Sequence, residues 1–431
     1  MAHRHLGRPK RRTAFALGCA LAMTPAYYVT AARTSAQSVD AHPLASREVR
    51  AREPRAGWPG PFADFGATTA WTRRVPRPAP TDAHSAAWVQ ALFAPPGVAT
   101  GEPGDARYAG RLQFCTRAAY VATHVTDGHA ALASAGCAAG DSGATLVFAT
   151  SGDPTYTLAC HEFGPACAAE NVTVHIPRGT TANANSDHHL AVIDAAAARE
   201  CDLWETGWLA PTTSTGLVGN GPDLAIGNGG CGSLRGDGSG PAWQATGANV
   251  PLSAGLLRAR DVLGRSGDGS DGRIAHALYV TIPCASREHE YPASGSDGAT
   301  PGCAPEGARF FLTTAGLAKF ERAQPPIPRW EMTIVRAYHE YGLIVSDHGG
   351  DAFGLLLEDD ASAIFAGAAA PWSQKFIAFA RRDAATARAK IDLTPARDVY
   401  HVDLAVPGDL TQTDWAVAAP CVNHGTCSHD R

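Results

Sequence analysis

The chain has 431 residues, of which 45% are hydrophobic and 18% charged, and its formal net charge is −5. The length suits one large domain or two ordinary ones, and the hydrophobic content excludes a chain that is disordered throughout. Residues 1–36 contain six basic side chains and no acidic one, so the remainder has 30 basic against 41 acidic side chains. Phosphate contacts require concentrated positive charge. We therefore expect no nucleic-acid partner.

The N-terminal segment has the pattern of an export signal. A basic stretch from Arg4 to Arg12 precedes a short apolar stretch, Thr13–Tyr28, and small residues follow it where a signal peptidase can cut. The apolar stretch is short for a membrane span, and no second long apolar segment follows it. We predict that residues 1–36 are a signal peptide and that the protein is secreted, extracellular or associated with the cell wall, without a membrane partner.

Ten cysteines follow residue 36. An even number in an exported chain indicates disulfides. The alternative is zinc, but no Cys-x-x-Cys pair occurs, so we expect no metal site and no cofactor. Neighbours in the sequence form five local pairs, although spacing does not prove connectivity: Cys115–Cys137, Cys160–Cys167, Cys201–Cys231, Cys284–Cys303 and Cys421–Cys427.

Four regions follow from composition and periodicity. They are the signal peptide at 1–36, an Arg/Pro-rich arm or linker at 37–80, a single β-rich domain at 81–405 and a disulfide-closed tail at 406–431. The β-rich domain opens with a predicted helix, Asp82–Phe93, after which short β-branched and aromatic segments alternate with Gly, Asp, Ser and Pro, the pattern of strands and turns. The predicted strands of its first half are Ala118–His124, Ala144–Thr150, Thr155–Cys160, Asn171–Ile176 and a hairpin formed by Leu190–Asp194 and Asp202–Glu205.

The second half mixes strands with short helices. A glycine-rich loop at 211–241 matches no phosphate-binding motif. Trp330, Ile334 and Tyr338 recur at helical spacing and make Arg329–Tyr341 the clearest helix. The other predicted elements are a turn and helix in Pro251–Leu263, strands at Gly272–Pro283, Arg309–Leu312, Leu343–Ser346 and Gly354–Leu357, and a helix at Gln374–Arg382. We predict a mainly β fold with peripheral helices, an antiparallel β-sandwich or jelly-roll-like sheet stapled by disulfides.

The order of these motifs resembles a group of secreted actinobacterial-type proteins of unassigned biochemistry. The resemblance covers roughly residues 70–360 and rests on ordered landmarks. It implies one secreted, sheet-rich domain and supplies no catalytic residue. The chain differs from the group by its doubled His188-His189 and its additional cysteines. The landmarks are Trp71, Pro78 and Ser85, then SDHHLAVID and CDLWE, Pro251-Leu252 with Gly255-Leu256, GRIAHAL, PEGARFFL and the helix ending in YGLIVSDHGG.

Acidic, histidine and tryptophan residues gather on the predicted hairpin. A carboxylate next to an indole suits glycan chemistry, since the ring stacks on a sugar and the acid acts at the glycosidic bond. Asp187 and Glu205 are the predicted acid/base pair, and Trp204 is the predicted sugar platform. Either Leu203 marks the core side and Glu205 enters the interior, or Trp204 does and Glu205 faces a cleft. A surface carboxylate beside a core tryptophan is the structural alternative.

Further candidates lie outside the hairpin pair. His189 and His276 have apolar neighbours, so each is either a core histidine or a functional one, and Arg273 could hold a substrate carboxylate. His276 with Tyr279 would also suit a polysaccharide lyase. The segment from Asp347 and His348 to Asp351 is either a site loop or a simple turn.

The predicted function is that of a secreted carbohydrate-active protein, most plausibly a glycoside hydrolase acting on a polysaccharide or cell-wall glycan. In this reading Asp187, Glu205 and His276 are catalytic. Trp204, His189, Arg273, Tyr279, Asp347 and His348 bind substrate. The alternatives are the lyase, a non-catalytic glycan- or wall-binding protein, and a purely structural extracellular protein.

Overall fold

The structure of the chain is a computed structural model. It describes residues 69–94, 96, 111–115, 143–177, 180, 182–183, 187–208, 223–323, 326–349, 354–365, 369–383, 390–394, 399–403 and 411–427. The predicted signal peptide, residues 37–68 of the arm, the predicted strand Ala118–His124, Cys137, residues 211–222 and Asp351 lie outside them. The strands are β1 Arg111–Cys115, β2 Gly143–Ala149, β3 Thr155–Cys160, β4 Thr173–His175, β5 Leu190–Asp194, β6 Arg199–Trp204, β7 Gly207–Trp208, β8 Asp223–Ile226, β9 Asn228–Ser233, β10 Leu278–Ile282, β11 Arg309–Leu312, β12 Leu343–His348, β13 Gly354–Leu355, β14 Leu357–Glu358, β15 Lys390–Thr394, β16 Val399–Asp403 and β17 Trp415–Val417.

The helices are short and sit between the strands. None in the described part of the chain combines the length and apolar character needed to cross a bilayer. They are α1 Ser85–Phe93, α2 Leu252–Gly255, α3 Ala259–Leu263, α4 Thr314–Glu321, α5 Arg329–Glu340, α6 Asp360–Phe365, α7 Ile377–Asp383 and α8 Pro420–His424, with a π-helical turn at Pro371–Phe376 and 3₁₀ turns at Gly164–Ala166 and Gln412–Asp414.

The predicted hairpin of β5 and β6 lies inside a five-stranded sheet of order β14-β2-β5-β6-β9. On β5, Leu190 and Val192 pack into one hydrophobic cluster, and Ala191 and Ile193 pack into another on the opposite face, as the two-residue period of a strand requires. These four side chains are at most 3% exposed. A strand buried on both faces needs apolar residues throughout, which explains the run Leu190–Ile193.

Two other sheets cover this central one. On one side, the cluster that contains Leu190 also includes Leu158 and Leu224 of the four-stranded sheet β4-β3-β8-β7. On the other side, the cluster that contains Ala191 includes Tyr279 and Ile344 of the five-stranded sheet β13-β10-β12-β11-β17. Since each cluster contains side chains from two sheets, the central sheet lies between the other two. The fourth sheet, β1-β16-β15, is antiparallel.

Helix α5 covers the far face of the β10–β12 sheet. Trp330, Ile334 and Tyr338 are at most 1% exposed and pack with Leu278 and Val345. Their spacing of four residues places them on one helical face. The helix ends before Gly342, whose φ of 76° lies in the left-handed region that favours glycine. The sequence prediction of this helix is confirmed.

The coarse fold prediction is confirmed, but the predicted topology is not. The described chain is rich in strands, and four of the five predicted disulfides are present: Cys160–Cys167, Cys201–Cys231, Cys284–Cys303 and Cys421–Cys427. Three sheets are mixed instead of antiparallel, because β10–β12, β2–β5 and β3–β8 run parallel. A sandwich or jelly-roll topology is not confirmed.

The strand predicted before Cys284 and the helix predicted after Trp372 differ from the prediction in extent or type. The strand predicted at Gly272–Pro283 comprises only Leu278–Ile282. The N–H groups of Arg273 and Ala277 donate instead to the carbonyls of Asp261 and Trp71, each at 2.7 Å. The helix predicted at Gln374–Arg382 begins as a π-helical turn and becomes α-helical at Ile377.

Segments on either side of the predicted domain pack against the strands. Trp71, in the predicted arm, is fully buried in the cluster that contains Tyr279. In the predicted tail, β17 pairs with β11, and Phe311 lies opposite Ala416.

Candidate functional site

The hairpin end brings Asp187 and Glu205 together through the backbone. The N–H of Glu205 donates to the carbonyl of Asp187 at 2.7 Å, and the N–H of Thr206 donates to His188 at 3.3 Å. Glu205 has a φ of 49°, a left-handed conformation that is uncommon for a residue with a side chain. The chain therefore leaves the strand direction at Glu205. The carboxyl group of Glu205 lies close to that of Glu162, which follows β3 in the chain.

A loop site consists of His161, Glu162, Phe163, Trp204 and Glu205. His161, Glu162 and Glu205 each offer a side-chain oxygen or nitrogen, and these three atoms lie within 4.8 Å of one another. The His161 Nε2 atom is 3.5 Å from Oε2 of Glu205, whose side chain is 33% exposed. The structure thus pairs Glu205 with a carboxyl group from the loop after β3, in a position that solvent reaches.

Desolvation is the main reason that the pKa of Glu205 is raised. The neighbouring charge of Glu162 and a hydrogen bond with that side chain raise the pKa further, whereas His161 lowers it. Two carboxyl groups in contact resist simultaneous ionisation. A carboxyl group that keeps its proton to higher pH suits the role of a general acid.

A short disulfide loop holds His161, Glu162 and Phe163. β3 ends at Cys160, and its disulfide with Cys167 closes the loop, which contains the 3₁₀ turn Gly164–Ala166. The N–H of His161 donates to Ile226 at 2.9 Å, which anchors the start of the loop on β8. Phe163 is 51% exposed, one of two large hydrophobic side chains left in solvent among the described residues.

Gly227 brings Trp204 and Glu205 side by side. A Cβ atom at Gly227 would lie 2.8 Å from Cε3 of Trp204 and 2.9 Å from Oε2 of Glu205. Real Cβ atoms do not approach so closely, so this position accommodates only glycine without a shift. Trp204 is half-buried and packs against the cluster that contains Tyr279. An indole edge and a carboxyl group therefore adjoin at the surface.

A second carboxyl pair on β6 is fully buried. Glu200 and Asp202 are both 0% exposed. They accept hydrogen bonds from the N–H groups of Ser253, at 3.0 Å, and Leu252, at 2.8 Å. Burial, and then the charge of Glu200, raises the pKa of Asp202 well above its usual range. This pair anchors the segment of α2 and does not face solvent.

His189 is a buried, hydrogen-bonded histidine. It is 6% exposed, and its Nε2 atom lies 3.0 Å from the carbonyl of Ala245. Since a carbonyl only accepts, Nε2 carries the proton of the neutral ring. Burial lowers the pKa of His189. Its contacts are those of a structural residue.

His276 and Arg273 lie in a different environment from the loop site. His276 is 2% exposed, its Nδ1 donates to the carbonyl of Ala277 at 2.9 Å, and its Nε2 is 3.7 Å from Asp261. The Arg273 side chain is exposed. Both residues lie beside Asp261, because the N–H of Arg273 donates to its carbonyl and Nε2 of His276 faces its carboxyl group.

Tyr279, Asp347 and His348 meet in a third place. The Tyr279 hydroxyl lies 3.4 Å from Oδ2 of Asp347, and the backbone N–H of His348 donates to Oδ1 of Asp347 at 2.8 Å. Asp297 joins them, because Nδ1 of His348 donates to its Oδ1 at 2.6 Å. We call Asp297, Glu306, Asp347 and His348 the acidic cluster. One ligand-type atom from each lies within 4.8 Å of the others.

The acidic cluster extends from buried Glu306 to exposed Asp297. Desolvation raises the pKa of Glu306 to about 10, and the adjacent Asp297 and Asp347 add to the effect. Desolvation, with the charge of Asp297, also raises the pKa of Asp347 to about 7. Among the described residues, the observed lysine and arginine ion pairs involve other carboxylates.

The sequence analysis missed the partners in both places. His161, Glu162 and Phe163 lie inside the predicted Cys160–Cys167 loop, and an acidic residue beside an aromatic one was the available signal. Asp297 lies in a Ser/Gly-rich turn, and Glu306 in the PEGARFFL landmark. Neither had a pattern that linked it to Asp347.

No protein-family model matches the chain, and neither the curated proteins nor the solved structures gave a significant match. Membership of the group suggested by the ordered landmarks therefore stays a prediction.

Proposed function

We propose that this protein is a secreted glycan-cleaving enzyme and that the loop site is its catalytic centre. The observation that carries the proposal is the contact between the carboxyl groups of Glu162 and Glu205, and the residue after Glu162 in the chain is the exposed Phe163. Most glycosidases use two carboxyl groups that flank the scissile bond. The disulfides support an oxidising, extracellular setting.

Glu205 is the general acid in this proposal. Its raised pKa keeps the carboxyl group protonated to higher pH, so that it gives its proton to the glycosidic oxygen as the bond to the leaving sugar breaks. Glu162, in its ionised form, attacks the anomeric carbon and forms a glycosyl ester. Water then attacks that ester while Glu205 takes up its proton, which releases the sugar and restores both carboxyl groups.

The carboxyl groups are too close together for the inverting mechanism. Their nearest ligand-type oxygens lie within 4.8 Å. Retaining enzymes hold the two groups roughly 5–5.5 Å apart, whereas inverting enzymes need roughly 6.5–9.5 Å to admit a water molecule. We therefore expect the first-formed product to keep the configuration of the bond that is cleaved.

The aromatic residues provide the surface for the glycan. Phe163 is exposed on the disulfide loop, and the Trp204 ring adjoins Glu205 across Gly227. Aromatic faces bury the apolar side of a sugar. Asp187 positions Glu205 through the backbone hydrogen bond. This role replaces the acid/base role that the sequence analysis gave to Asp187.

The experiment is a cleavage assay on oxidised, secreted protein with a panel of bacterial, plant and fungal polysaccharides. New reducing ends are measured, and the first product is followed by NMR. We expect Glu205→Gln and Glu162→Gln to lose about 10²–10⁴-fold in rate, while Glu321→Gln, an exposed carboxylate on α4, keeps full rate. Full activity in both loop-site variants would remove the proposal.

A non-catalytic glycan-binding protein is the second candidate, because Phe163 is so exposed. It predicts retention on an insoluble glycan that Phe163→Ala abolishes and Glu205→Gln leaves intact, with no cleavage product. The polysaccharide lyase of the sequence analysis lacks such support, since His276 and Tyr279 are buried and bond to different partners. Unsaturated products, seen by ultraviolet absorbance, would restore it.

A further inference from the structure

We propose that the acidic cluster of Asp297, Glu306, Asp347 and His348 binds one divalent metal ion. Three carboxyl groups and one imidazole converge, and one potential ligand atom from each lies within 4.8 Å of the others. This set of oxygen and nitrogen donors is one that divalent cations use in proteins. The inference departs from the sequence analysis, which expected no metal site, and it is independent of the proposed glycan cleavage.

Glu306 provides the second observation. Its side chain is 0% exposed, and neither carboxyl oxygen has a hydrogen-bond donor in normal geometry. A buried polar group without a partner is costly. Since its oxygens face the other members of the cluster, a bound cation would supply the missing partner.

Gly247 shows that the carboxyl groups converge beside the backbone. A Cβ atom there would collide with Oδ1 of Asp297 and lie 2.9 Å from Oε1 of Glu306. Both oxygens therefore approach one point on the surface of this residue. A methyl group at Gly247 would displace them and disturb any ion that they hold.

Tertiary structure holds the donors in place. The pairing of β10 with β12 shifts between Val280 and Thr281, so that Val280 lies opposite Val345 and Thr281 opposite Asp347. Ser346 is thus the extra residue of a bulge. Bulges re-aim side chains and occur next to functional sites, and this one lies directly before Asp347. His348, the last residue of β12, reaches the cluster through its Nδ1 atom, which lies 2.6 Å from Oδ1 of Asp297.

The loop that carries Asp297 is tied at its base. The Cys284–Cys303 disulfide closes it, and the N–H of Thr300 donates to Ala285 at 2.9 Å. Glu306 follows this loop, and the N–H of Gly307 donates to Val345 of β12 at 2.7 Å. Donors held on anchored backbone lose little freedom on binding an ion.

The donor types indicate which ions bind best. Carboxylates suit Mg²⁺, Ca²⁺ and Mn²⁺, whereas an imidazole adds affinity for Zn²⁺ and other first-row transition metals. With three carboxylates and one imidazole, we expect Mn²⁺ and Zn²⁺ to bind more tightly than Mg²⁺ or Ca²⁺. Three ionised carboxylates also favour a doubly charged ion over Na⁺ or K⁺.

The first test uses unmutated protein. After treatment with EDTA and dialysis, the protein is titrated with MnCl₂ by electron paramagnetic resonance, which reports free Mn²⁺, and with ZnCl₂, CaCl₂ and MgCl₂ by calorimetry and thermal unfolding. We expect one ion per chain and, at 100 times Kd, a rise in Tm of about 3–5 °C. No binding of any of these ions at millimolar concentration would overturn the proposal.

Variants then locate the site. Glu306→Gln replaces a carboxyl ligand by an amide of the same shape, so we expect it to fold and to lose at least about 10-fold in affinity for the metal alone. Gly247→Ala and His348→Gln should weaken binding as well. Glu162→Gln is the matched control and should keep wild-type affinity. Equal affinity in the wild type and in Glu306→Gln, or loss in Glu162→Gln alone, would contradict this location. The readout is binding, so failure leaves the proposed cleavage untouched.

Discussion

The backbone N–H of Glu205 donates to the carbonyl of Asp187 at 2.7 Å, while its carboxyl group contacts Glu162 on a separate disulfide loop. One residue thus closes a hairpin with its main chain and completes a carboxyl pair with its side chain. The left-handed φ of Glu205 permits both contacts. Residues kept in sparsely populated conformations cluster at functional sites, which makes Glu205 the first position to test.

The backbone conformation at Glu205 predicts that Glu205→Gly is more stable than Glu205→Ala. Both variants remove the carboxyl group, but only glycine adopts a φ of 49° without steric cost. We expect Glu205→Gly to exceed Glu205→Ala by about 1 kcal/mol in the free energy of unfolding, measured by denaturant titration. Neither should cleave glycan. Equal stability would mean that the backbone relaxes in the alanine variant.

The disulfide loop predicts a selective loss of function. We expect replacement of Cys160 and Cys167 by Ser to lower stability by about 2–3 kcal/mol and glycan cleavage at least about 10-fold, because Glu162 and Phe163 lose their fixed position. Replacement of Cys421 and Cys427 opens a loop of similar length in the C-terminal segment. That control should lose similar stability and keep its activity. Parallel losses of activity in both pairs would argue against a site on the first loop.

Close packing against β9 predicts that Gly230→Ala is destabilising. A Cβ atom there would overlap the carbonyl of Ala242. We expect a loss of about 1–3 kcal/mol in denaturant unfolding. At Gly236 the nearest atom would be 3.4 Å away, so Gly236→Ala should change stability by less than about 0.5 kcal/mol. Similar effects at the two glycines would show that β9 can shift away from its neighbour.

Asp359 predicts a loss of stability as pH rises through about 4 to 6. It is 0% exposed and accepts hydrogen bonds from Thr145 at 2.8 Å and Asn183 at 2.9 Å. Burial raises its pKa from 3.8 to about 6. The folded state therefore holds this proton more tightly than the unfolded state, and ionisation costs about 3 kcal/mol across that range. Asp359→Asn should remove this part of the slope in urea unfolding at a series of pH values. An unchanged slope would assign the pH dependence to other groups.

The burial of His189 predicts that stability rises with pH near neutrality, which is opposite to the effect of Asp359. Burial lowers its pKa from the usual 6.5, so the unfolded state binds the proton more readily. Its contribution is present above about 6.5 and is lost as pH falls below that value. His189→Gln retains a donor for Ala245 and does not charge, so the decline should be shallower in this variant. The comparison uses the same urea titrations, and a decline as steep as in the wild type would exclude His189 as its source.

Periodicity and spacing within short segments determined much of the fold by themselves. The run Leu190–Ile193 predicted the interior strand, the four-residue spacing from Trp330 predicted α5, and neighbouring cysteines predicted the four disulfides seen. These features depend on contacts between residues close in sequence, or on one repeating side-chain direction. The chemistry on the hairpin was likewise visible as Trp204 and Glu205.

Only the tertiary structure decided which side chains meet. Parallel pairing such as β10–β12 joins strands that are far apart in the chain, and alternation within a strand does not encode its neighbour. Glu162 reaches Glu205 from a loop that lies outside the hairpin sequence. Likewise, Asp297 and Glu306 reach Asp347 from separate segments. The bulge at Ser346 changes the register just before Asp347, which no two-residue pattern could predict.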